Sequence, residues 1–271
     1  MKKLFEWLYE LFQPRRLGAD WQDDKNDYPA DSVDEKKLLG VPASEEGDKF
    51  VRIKDQGRTN RCTAYALSYV VEVMLAAHAK KNKKGWARVF IDQDELWENQ
   101  IKRAAVRSNK SYSEMKRIME RGGDYLHNAL GALIEKGCHF YRQVGMNKMK
   151  YHVTFEGYAR ADKEGTRKMT ALEIMDSVKK MNQKGHPIFT GSMLGSPWAN
   201  GPEWNVTRRG TGGHAYAQTD TSDHYLFGPN SWDKKWGDSG YWYVHGSRSR
   251  DMFGMYFLYG MKVSEVTDYD F

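Results

Sequence analysis

The feature that most constrains the fold is a long helical segment without a polar face. Residues 62–79 have the sequence CTAYALSYVVEVMLAAHA, which places small and apolar side chains almost all round a helix. Four lysines follow within residues 80–84 and suit the negatively polarised end of such a helix. A helix of this kind needs cover on every side, so we expect it at the centre of a large core.

The periodicity of the chain changes near its middle. Further helices are predicted at about 92–105, 111–120, 124–136 and 170–184. After Pro187 the chain breaks into short runs rich in β-branched and aromatic residues, separated by Gly, Asn and Asp. Helices first and strands later favour an α+β protein with two layers or lobes over alternating βαβ units.

Composition and charge exclude several classes of protein. The chain has 271 residues, of which 40% are hydrophobic and 13% aromatic, so it is a packed globule. The net charge is +6, but the basic residues are dispersed, and we expect no nucleic-acid partner. The GTGG at 210–213 lacks the Lys-Ser/Thr of a phosphate-binding loop, and no usual metal-ligand spacing is present, so no metal and no cofactor are expected.

The start of the chain and its cysteine content predict a cytoplasmic location. Glu6 and Glu10 interrupt the first apolar stretch, and no run of 18 apolar residues exists, so we expect neither a signal peptide nor a membrane span. Two cysteines, Cys62 and Cys138, cannot form a disulfide scaffold. Each is predicted to be a free thiol, and Cys138 is predicted to be packed in the interior.

Residues 1–40 are predicted to form a unit of their own ahead of a main domain at 41–271. The unit combines an amphipathic helix over residues 4–12 with an acidic, turn-rich arm. A helix this short is marginal in water by itself. We therefore expect residues 1–13 to bind a protein partner or a second copy of the chain.

The clearest chemical signal is a cysteine at the start of the central helix. A polar loop containing glycine, DQGRTNR at residues 55–61, delivers Cys62 to the first turn. The free amide groups and the dipole of a helix start favour a thiolate, and a nearby imidazolium favours it further. The alternative is that Cys62 is a small buried apolar residue.

Two further motifs supply the partners that such a cysteine requires. His214 lies in GGHA and can take the thiol proton, while Asn230 lies in NSW and can accept the other imidazole N–H without adding a charge. Trp232 can shield that bond from water. His214 follows Cys62 by 152 residues and Asn230 follows His214 by 16, close to the separation of about 130–150 residues expected for a peptidase of the papain kind.

The sequence resembles the papain-like cysteine peptidases over about residues 41–260. The resemblance lies in DQGRTNRCTAYAL, GGDYLHNALGALIEKGC, GGHAYAQTD and GPNSWDKKWGDSGYWYV. It implies a two-lobed α+β fold, with a helical lobe at about 55–150, a β-rich lobe at about 151–265 and the active-site cleft between them. The Cys-Thr-Ala sequence at the nucleophile is similar to the disulfide-free bacterial and phage branch of the family.

The resemblance implies a role for each residue that matches a family motif. Cys62 is the expected nucleophile, His214 the general acid and base, Asn230 the orienting group and Gln56 a donor to the oxyanion hole. Gly122 and Gly123 match the glycine segment that pairs with the substrate backbone, and Trp232 is a third substrate-binding residue.

Three positions depart from the family pattern. Asn60 stands close before the nucleophile in place of a glycine, and asparagine can replace a glycine at positive φ better than most residues. Arg61 places a cation beside the nucleophile and is expected to narrow the cleft or to favour acidic substrates. Asp233 follows NSW where the family has glycine.

The function predicted from these residues is that of a cysteine endopeptidase acting on a peptide or protein substrate through a Cys62 acyl-enzyme. One alternative is a structural or binding protein of the same fold that has lost its activity, such as a virion component. Another is a peptidoglycan or isopeptide hydrolase, against which the NSW motif argues.

Overall fold

The computed structural model describes residues 28–42, 52–82, 89–144, 147–165, 167–194, 206–207 and 212–266. Five α-helices lie in these ranges: α1 Cys62–Lys81, α2 Gln93–Arg107, α3 Tyr112–Gly122, α4 Leu126–Lys136 and α5 Ala171–Gln183. They confirm the helices predicted in this part of the chain to within two residues at each end. The helix predicted at 4–12 lies outside the described residues.

The strands of the described residues are short and pair antiparallel. In chain order they are β1 Val89–Ile91, β2 Cys138–Val144, β3 Asn147–Thr154, β4 Gly157–Arg160, β5 Lys163–Glu164, β6 Arg167–Lys168, β7 Ile188–Leu194, β8 Val206–Thr207, β9 Gly212–Gln218, β10 Asp220–Thr221, β11 Tyr225–Pro229, β12 Tyr241–His245, β13 Met255–Tyr259 and β14 Lys262–Glu265. Three 3-10 turns accompany them, Ala30–Ser32, Glu35–Lys37 and Gly246–Asp251.

Three larger sheets and one small hairpin result from this pairing. One sheet has the order β4–β13–β7–β8, with β9 also paired to β7, and a second has the order β10–β11–β12. The third, β1–β2–β3–β14, brings the last strand back to the helical half of the chain. The β2–β3 hairpin follows α4 directly and was not among the predicted strands, because charged side chains in β3 interrupt its apolar pattern.

The central helix is buried as the sequence predicts. Fifteen of the 20 residues of α1 are buried, and α1 packs against α2, α4 and strand β9. It is the one helix of the described ranges with the length and hydropathy of a membrane span, yet 78% of its most apolar window is buried inside the protein. This burial is that of a core helix.

Strand β9 lies between two hydrophobic cores. Ala215 and Ala217 belong to the core around α1, α2 and α4, whereas Tyr216 belongs to the core of the β-rich half. Since side chains alternate along a strand, β9 contributes to a core with each of its faces. Cys138 is fully buried in the first core, and burial raises its pKa well above the ordinary thiol value.

The described part of the predicted arm lies against the β-rich half. Pro29 forms a parallel bridge to Arg160, and Leu38 and Leu39 are buried. Leu39 N–H donates to His186 Nε2 at 2.8 Å. The partner-binding role predicted for residues 1–13 concerns a segment outside the described residues and stays a prediction.

Candidate active site

The candidate nucleophile lies at the amino end of the central helix. Cys62 is the first residue of α1 and is partly exposed. The preceding residue, Arg61, makes no side-chain cap, and the first turn contains no acidic residue. The N–H groups of this helix end are therefore open to an anion at the cysteine.

Main-chain pairing joins the loop before α1 to the segment after β11. Gln56 N–H donates to Ser231 O at 2.9 Å, and Asp55 and Trp232 form an antiparallel bridge. Two stretches far apart in sequence are thereby held side by side, one leading to Cys62 and the other containing the orienting asparagine.

His214 lies on β9 and is oriented by Asn230, which follows β11. The distance from His214 Nε2 to Asn230 Oδ1 is 2.9 Å. Ser231 N–H donates to the same Oδ1 at 2.8 Å, which identifies this atom as the amide oxygen. Because a carbonyl oxygen only accepts, the neutral imidazole holds its proton on Nε2 and leaves Nδ1 as an acceptor. The geometry thus prepares His214 to receive a proton.

Trp232 covers this pair. Its ring centroid lies 4.5 Å from that of His214, and Trp236 packs edge-on against Trp232 at 5.3 Å. His214 is 6% exposed and Asn230 only 1%. The tryptophan therefore excludes water from the bond between His214 and Asn230, as the sequence predicts.

The amide nitrogen of Asn230 is a costly feature of the site. Among the described residues, Asn230 Nδ2 is buried without a hydrogen-bond partner. An unsatisfied buried donor costs about 1–3 kcal/mol. Such a cost is typical of positions where function, and not stability, determines the residue.

Burial disfavours charge on both reacting groups. It raises the pKa of the Cys62 thiol, although main-chain N–H groups of Ala215 and Thr63 lower it. It also lowers the pKa of His214 to about 4, against the hydrogen bond to Asn230, which raises it. In the free site desolvation therefore opposes the thiolate that the helix start and a nearby imidazolium are expected to favour.

Gln56 is held by both ends of its side-chain amide. Its Oε1 accepts from Ser231 Oγ at 2.5 Å, and its Nε2 donates to Thr59 O at 2.7 Å. An amide nitrogen carries two N–H groups, and the bond to Thr59 O uses one of those on Nε2. Gln56 lines the cleft with Cys62, where the sequence places it.

The glycine segment forms another part of the cleft wall. Gly122 ends α3, and Gly123 has a φ of +79°, a conformation that favours glycine. Asn60 Nδ2 donates to Glu120 O at 2.9 Å, which ties the loop before Cys62 to the end of α3.

One of the three departures from the family pattern, Arg61, behaves differently from expectation. Arg61 pairs with Asp94 at 2.5 Å and lies over the Trp97 ring, so it points to α2 and is not among the residues that line the cleft. Asn60 does not use the positive φ that asparagine tolerates, since its φ is negative, and its side chain donates to Glu120 O. Asp233 does adopt the glycine conformation, with a φ of +73°.

The cleft has a volume of about 270 Å³ and contains all seven predicted site residues except Asn230, which lies behind His214. Its lining consists of Gln56, Gly57, Arg58, Thr59, Asn60, Cys62, Gly122, Gly123, Asp124, Leu126, Gly191, Gly213, His214, Ala215, Trp232 and Phe253.

Several residues that line the cleft were not predicted from the sequence. Gly191 lies in β7, where a Cβ would stand 2.8 Å from His214 O. A glycine inside a strand indicates such a close approach, so this position had a signal. Phe253 and Leu126 had none, since nothing distinguishes them from other core residues before the fold is known.

The fold is similar to that of several solved cysteine proteases. Xylellain from Xylella fastidiosa matches with a TM-score of 0.52 at 13% identity, covering 86% of this chain and 94% of that one. Procathepsin B S9 from Trypanosoma congolense matches with a TM-score of 0.52 at 12% identity, covering 92% and 86%. A cysteine protease from Carica candamarcensis matches with a TM-score of 0.50 at 16% identity, covering 80% and 96%.

Similarity at the level of sequence is much weaker. No family model matches the chain, and no curated protein matches it. Identities of 12–16% to the solved structures establish the architecture alone. The α+β, two-lobed prediction is confirmed, and the chain has the papain-like fold.

Proposed function

We propose that this protein is a cysteine endopeptidase that hydrolyses peptide bonds through an acyl-enzyme on Cys62. The observation that carries the proposal is the 2.9 Å bond from His214 to Asn230, made in the cleft that Cys62 lines. An imidazole held in the tautomer whose Nδ1 carries no proton is what a thiol needs as a general base.

Acylation follows from the residues of the cleft. His214 Nδ1 takes the thiol proton as Sγ bonds to the substrate carbonyl carbon. The positive charge on the imidazole and the negative charge on the substrate oxygen therefore appear together and stabilise each other. The oxyanion accepts from the remaining Gln56 Nε2 N–H and from the main-chain N–H of Cys62. The C–N bond then breaks, and His214 returns the proton to the leaving amine.

Deacylation reverses these roles. A water gives a proton to His214 as its oxygen bonds to the thioester carbon. The C–S bond then breaks, and His214 returns the proton to Sγ, which leaves the free acid and the thiol. Gly122 and Gly123 are proposed to pair with the substrate backbone, with Trp232 covering His214.

The origin of the protein within the fold family is also a proposal. The Cys-Thr-Ala sequence and the two free thiols, Cys62 and Cys138, support the disulfide-free bacterial or phage branch. We propose a cytoplasmic protein that can also associate with a virion.

Two measurements test the peptidase. Peptide hydrolysis should be lost in Cys62→Ala and in His214→Ala but kept in His224→Ala, which replaces an exposed histidine of the same lobe. Intact mass after brief treatment with an epoxysuccinyl reagent should show one addition, at Cys62, with the buried Cys138 as an internal control. A folded protein that hydrolyses no peptide would instead support the inactive structural protein.

A further inference from the structure

Asp124 is a carboxylate in the cleft that the reaction scheme does not use. It directly follows Gly123 and lines the same cleft as Cys62 and His214. Resting on the peptidase function proposed above, we propose that Asp124 is a specificity residue that binds a cationic group of the substrate close to the scissile bond.

Local hydrogen bonds hold the carboxylate in place and leave it able to accept more. Tyr125 N–H donates to Oδ1 at 2.8 Å, and Asn128 Nδ2 lies 2.9 Å from both Oδ1 and Oδ2. Each carboxylate oxygen accepts about two hydrogen bonds. Oδ2 therefore has an acceptor position left for a ligand, and the side chain is already oriented to present it.

The charge of Arg103 lowers the pKa of Asp124, but Arg103 and Asp124 form no ion pair in the described residues. Arg103 binds Glu135 through Nε and Asn128 Oδ1 through Nη1, so a neutral amide separates it from Asp124. Within the described ranges no ion pair involves Asp124. The charge of this carboxylate is thus available to a group that enters the cleft.

The other charges of the cleft make this position distinctive. Asp124 is the one carboxylate among the described lining residues, and Arg58 is the one residue there that is always cationic. Arg61, the cation expected at the nucleophile, pairs with Asp94 outside the lining. The cleft wall next to Gly123 therefore attracts cations.

The surroundings of Asp124 favour a charged ligand over solvent. Burial raises the pKa of Asp124 to about 7, against the Asn128 hydrogen bond, which lowers it. The ionised form thus lacks the stabilisation that water would give, and an incoming cation would supply it. Asp124 also raises the pKa of the Cys62 thiol, which is consistent with a position close to the reacting sulfur.

A substrate can bring a cation to this point in two ways. One is the side chain of lysine or arginine, and the other is the free α-ammonium at the end of a peptide. A charge-assisted hydrogen bond of this kind is expected to change kcat/KM by about tenfold.

Matched peptides separate the two sources. Arginine is replaced by citrulline, its uncharged isostere, at one position at a time, and each peptide is made with a free and an acetylated N-terminus. Wild type should prefer the cationic member of one pair, and Asp124→Asn should hydrolyse both members equally. Asp176→Asn, a matched change on the exposed face of α5, should keep the preference.

A second measurement does not depend on peptide hydrolysis. The rates at which Cys62 reacts with 2-bromoethylamine, a cation, and with iodoacetamide, which is neutral, are measured in wild type, Asp124→Asn and Asp124→Ser. Asp124→Asn keeps an Oδ1 that can accept from Tyr125 N–H, and Asp124→Ser removes the charge with a shorter polar side chain. We expect the ratio of the two rates to fall in both variants.

The outcomes of these experiments are distinct. A protein that hydrolyses no peptide refutes the proposed function, and the ratio of the two alkylation rates then decides the role of Asp124. Unchanged ratios in both Asp124 variants, or a wild type without any preference for cationic peptides, would overturn the inference.

Discussion

At the residue scale, the bond between His214 and Asn230 determines which imidazole nitrogen can receive a proton. Replacing Asn230 with alanine removes the acceptor of Nε2–H but leaves the thiol and imidazole in place. We predict that Asn230→Ala lowers kcat at least about tenfold without abolishing turnover, because a poorly oriented histidine still transfers protons. Steady-state kinetics on one peptide measure this, and equal kcat values would show that Asn230 does not orient His214.

The pH dependence of the reaction follows from the same two residues. The active form of the pair has one proton, shared between thiol and imidazole. A second proton enters at His214, whose pKa burial lowers to about 4, and the last proton leaves from Cys62, whose pKa burial raises. For a peptide without a cationic group, whose turnover does not depend on the charge of Asp124, we predict a bell-shaped profile of kcat/KM with an acid limb near pH 4 and an alkaline limb above the ordinary range of a thiol. An acid limb near pH 6.5 would contradict the effect of burial on His214.

Sequence patterns identify reactive residues better than they identify partners. Cys62 and His214 could be identified from the sequence because each lies in a recognisable local motif, and both line the cleft. The surroundings of Arg61 were predicted wrongly, since its partner Asp94 is 33 positions away and only the packing of α1 on α2 brings them together. The desolvation of Cys62 and His214 could not be predicted from the sequence either, because it depends on all the residues that surround the cleft.

At the element scale, α1 connects the nucleophile with the segment that orients the histidine. Tyr69 Oη donates to Asn230 O at 3.0 Å and accepts from Lys54 N–H at 2.6 Å. Lys54 Nζ in turn forms a buried ion pair with Glu72, one turn along α1, at 2.9 Å. One helix therefore fixes the positions of Cys62 and Asn230 together.

This connection makes Tyr69 a positioning residue. We predict that Tyr69→Phe lowers kcat several-fold and leaves KM unchanged, because the lost hydroxyl holds Asn230 and touches no substrate. Tyr256→Phe is the control, since it removes a mostly buried hydroxyl that bonds to His127. A proportional loss of kcat in both variants would indicate general destabilisation and not positioning.

Helices were easier to predict than sheets for a physical reason. A helix such as α1 or α5 is determined by residues within one segment, including the capping box of Thr170 and Glu173. A strand depends on distant partners, and β14 pairs with β3 across more than 100 positions. The sheet that contains the β2–β3 hairpin could not be assembled from local patterns.

At the scale of the whole molecule, the order of the elements and the resemblance to a family predict two lobes. They do not predict which strand contributes to the cores of both. Strand β9 contributes Ala215 to one core and Tyr216 to the other. The sequence GGHAYAQ indicates a buried strand, but it does not indicate that the two faces of this strand belong to different cores.

The role of the first residues remains a prediction at this scale. Deleting residues 1–13 should keep peptide hydrolysis and abolish binding of a partner or self-association, because the short amphipathic helix predicted there requires cover for its apolar face. Light scattering gives the oligomeric mass of both forms. A truncated protein of unchanged mass and partners but lower Tm would indicate that these residues pack on their own domain.

Two buried histidines should make the free energy of unfolding depend on pH, with a stabilising contribution that is lost in acid. His186 is fully buried, accepts from Leu39 N–H at Nε2, and bonds Leu258 O through Nδ1 at 2.7 Å. Burial lowers its pKa to about 4, as it does for His214. Both histidines are neutral when folded and protonate near pH 6.5 when unfolded, so the unfolded state binds more protons between these values.

The direction of the effect follows from this difference. We predict that each histidine contributes up to about 3 kcal/mol to the free energy of unfolding above about pH 6.5, and that this contribution is lost as the pH falls to 4. Asp124, whose pKa burial raises to about 7, acts in the opposite direction over the same range, so the histidine contribution is read from the difference between variants. Urea titrations followed by tryptophan fluorescence measure it, with His224→Gln, an exposed position, as control. His186→Gln should remove about half of the histidine contribution, because a side chain that does not titrate then bonds the arm to β13. A slope as steep as that of wild type would contradict the neutral state of His186 that its bond to Leu39 requires.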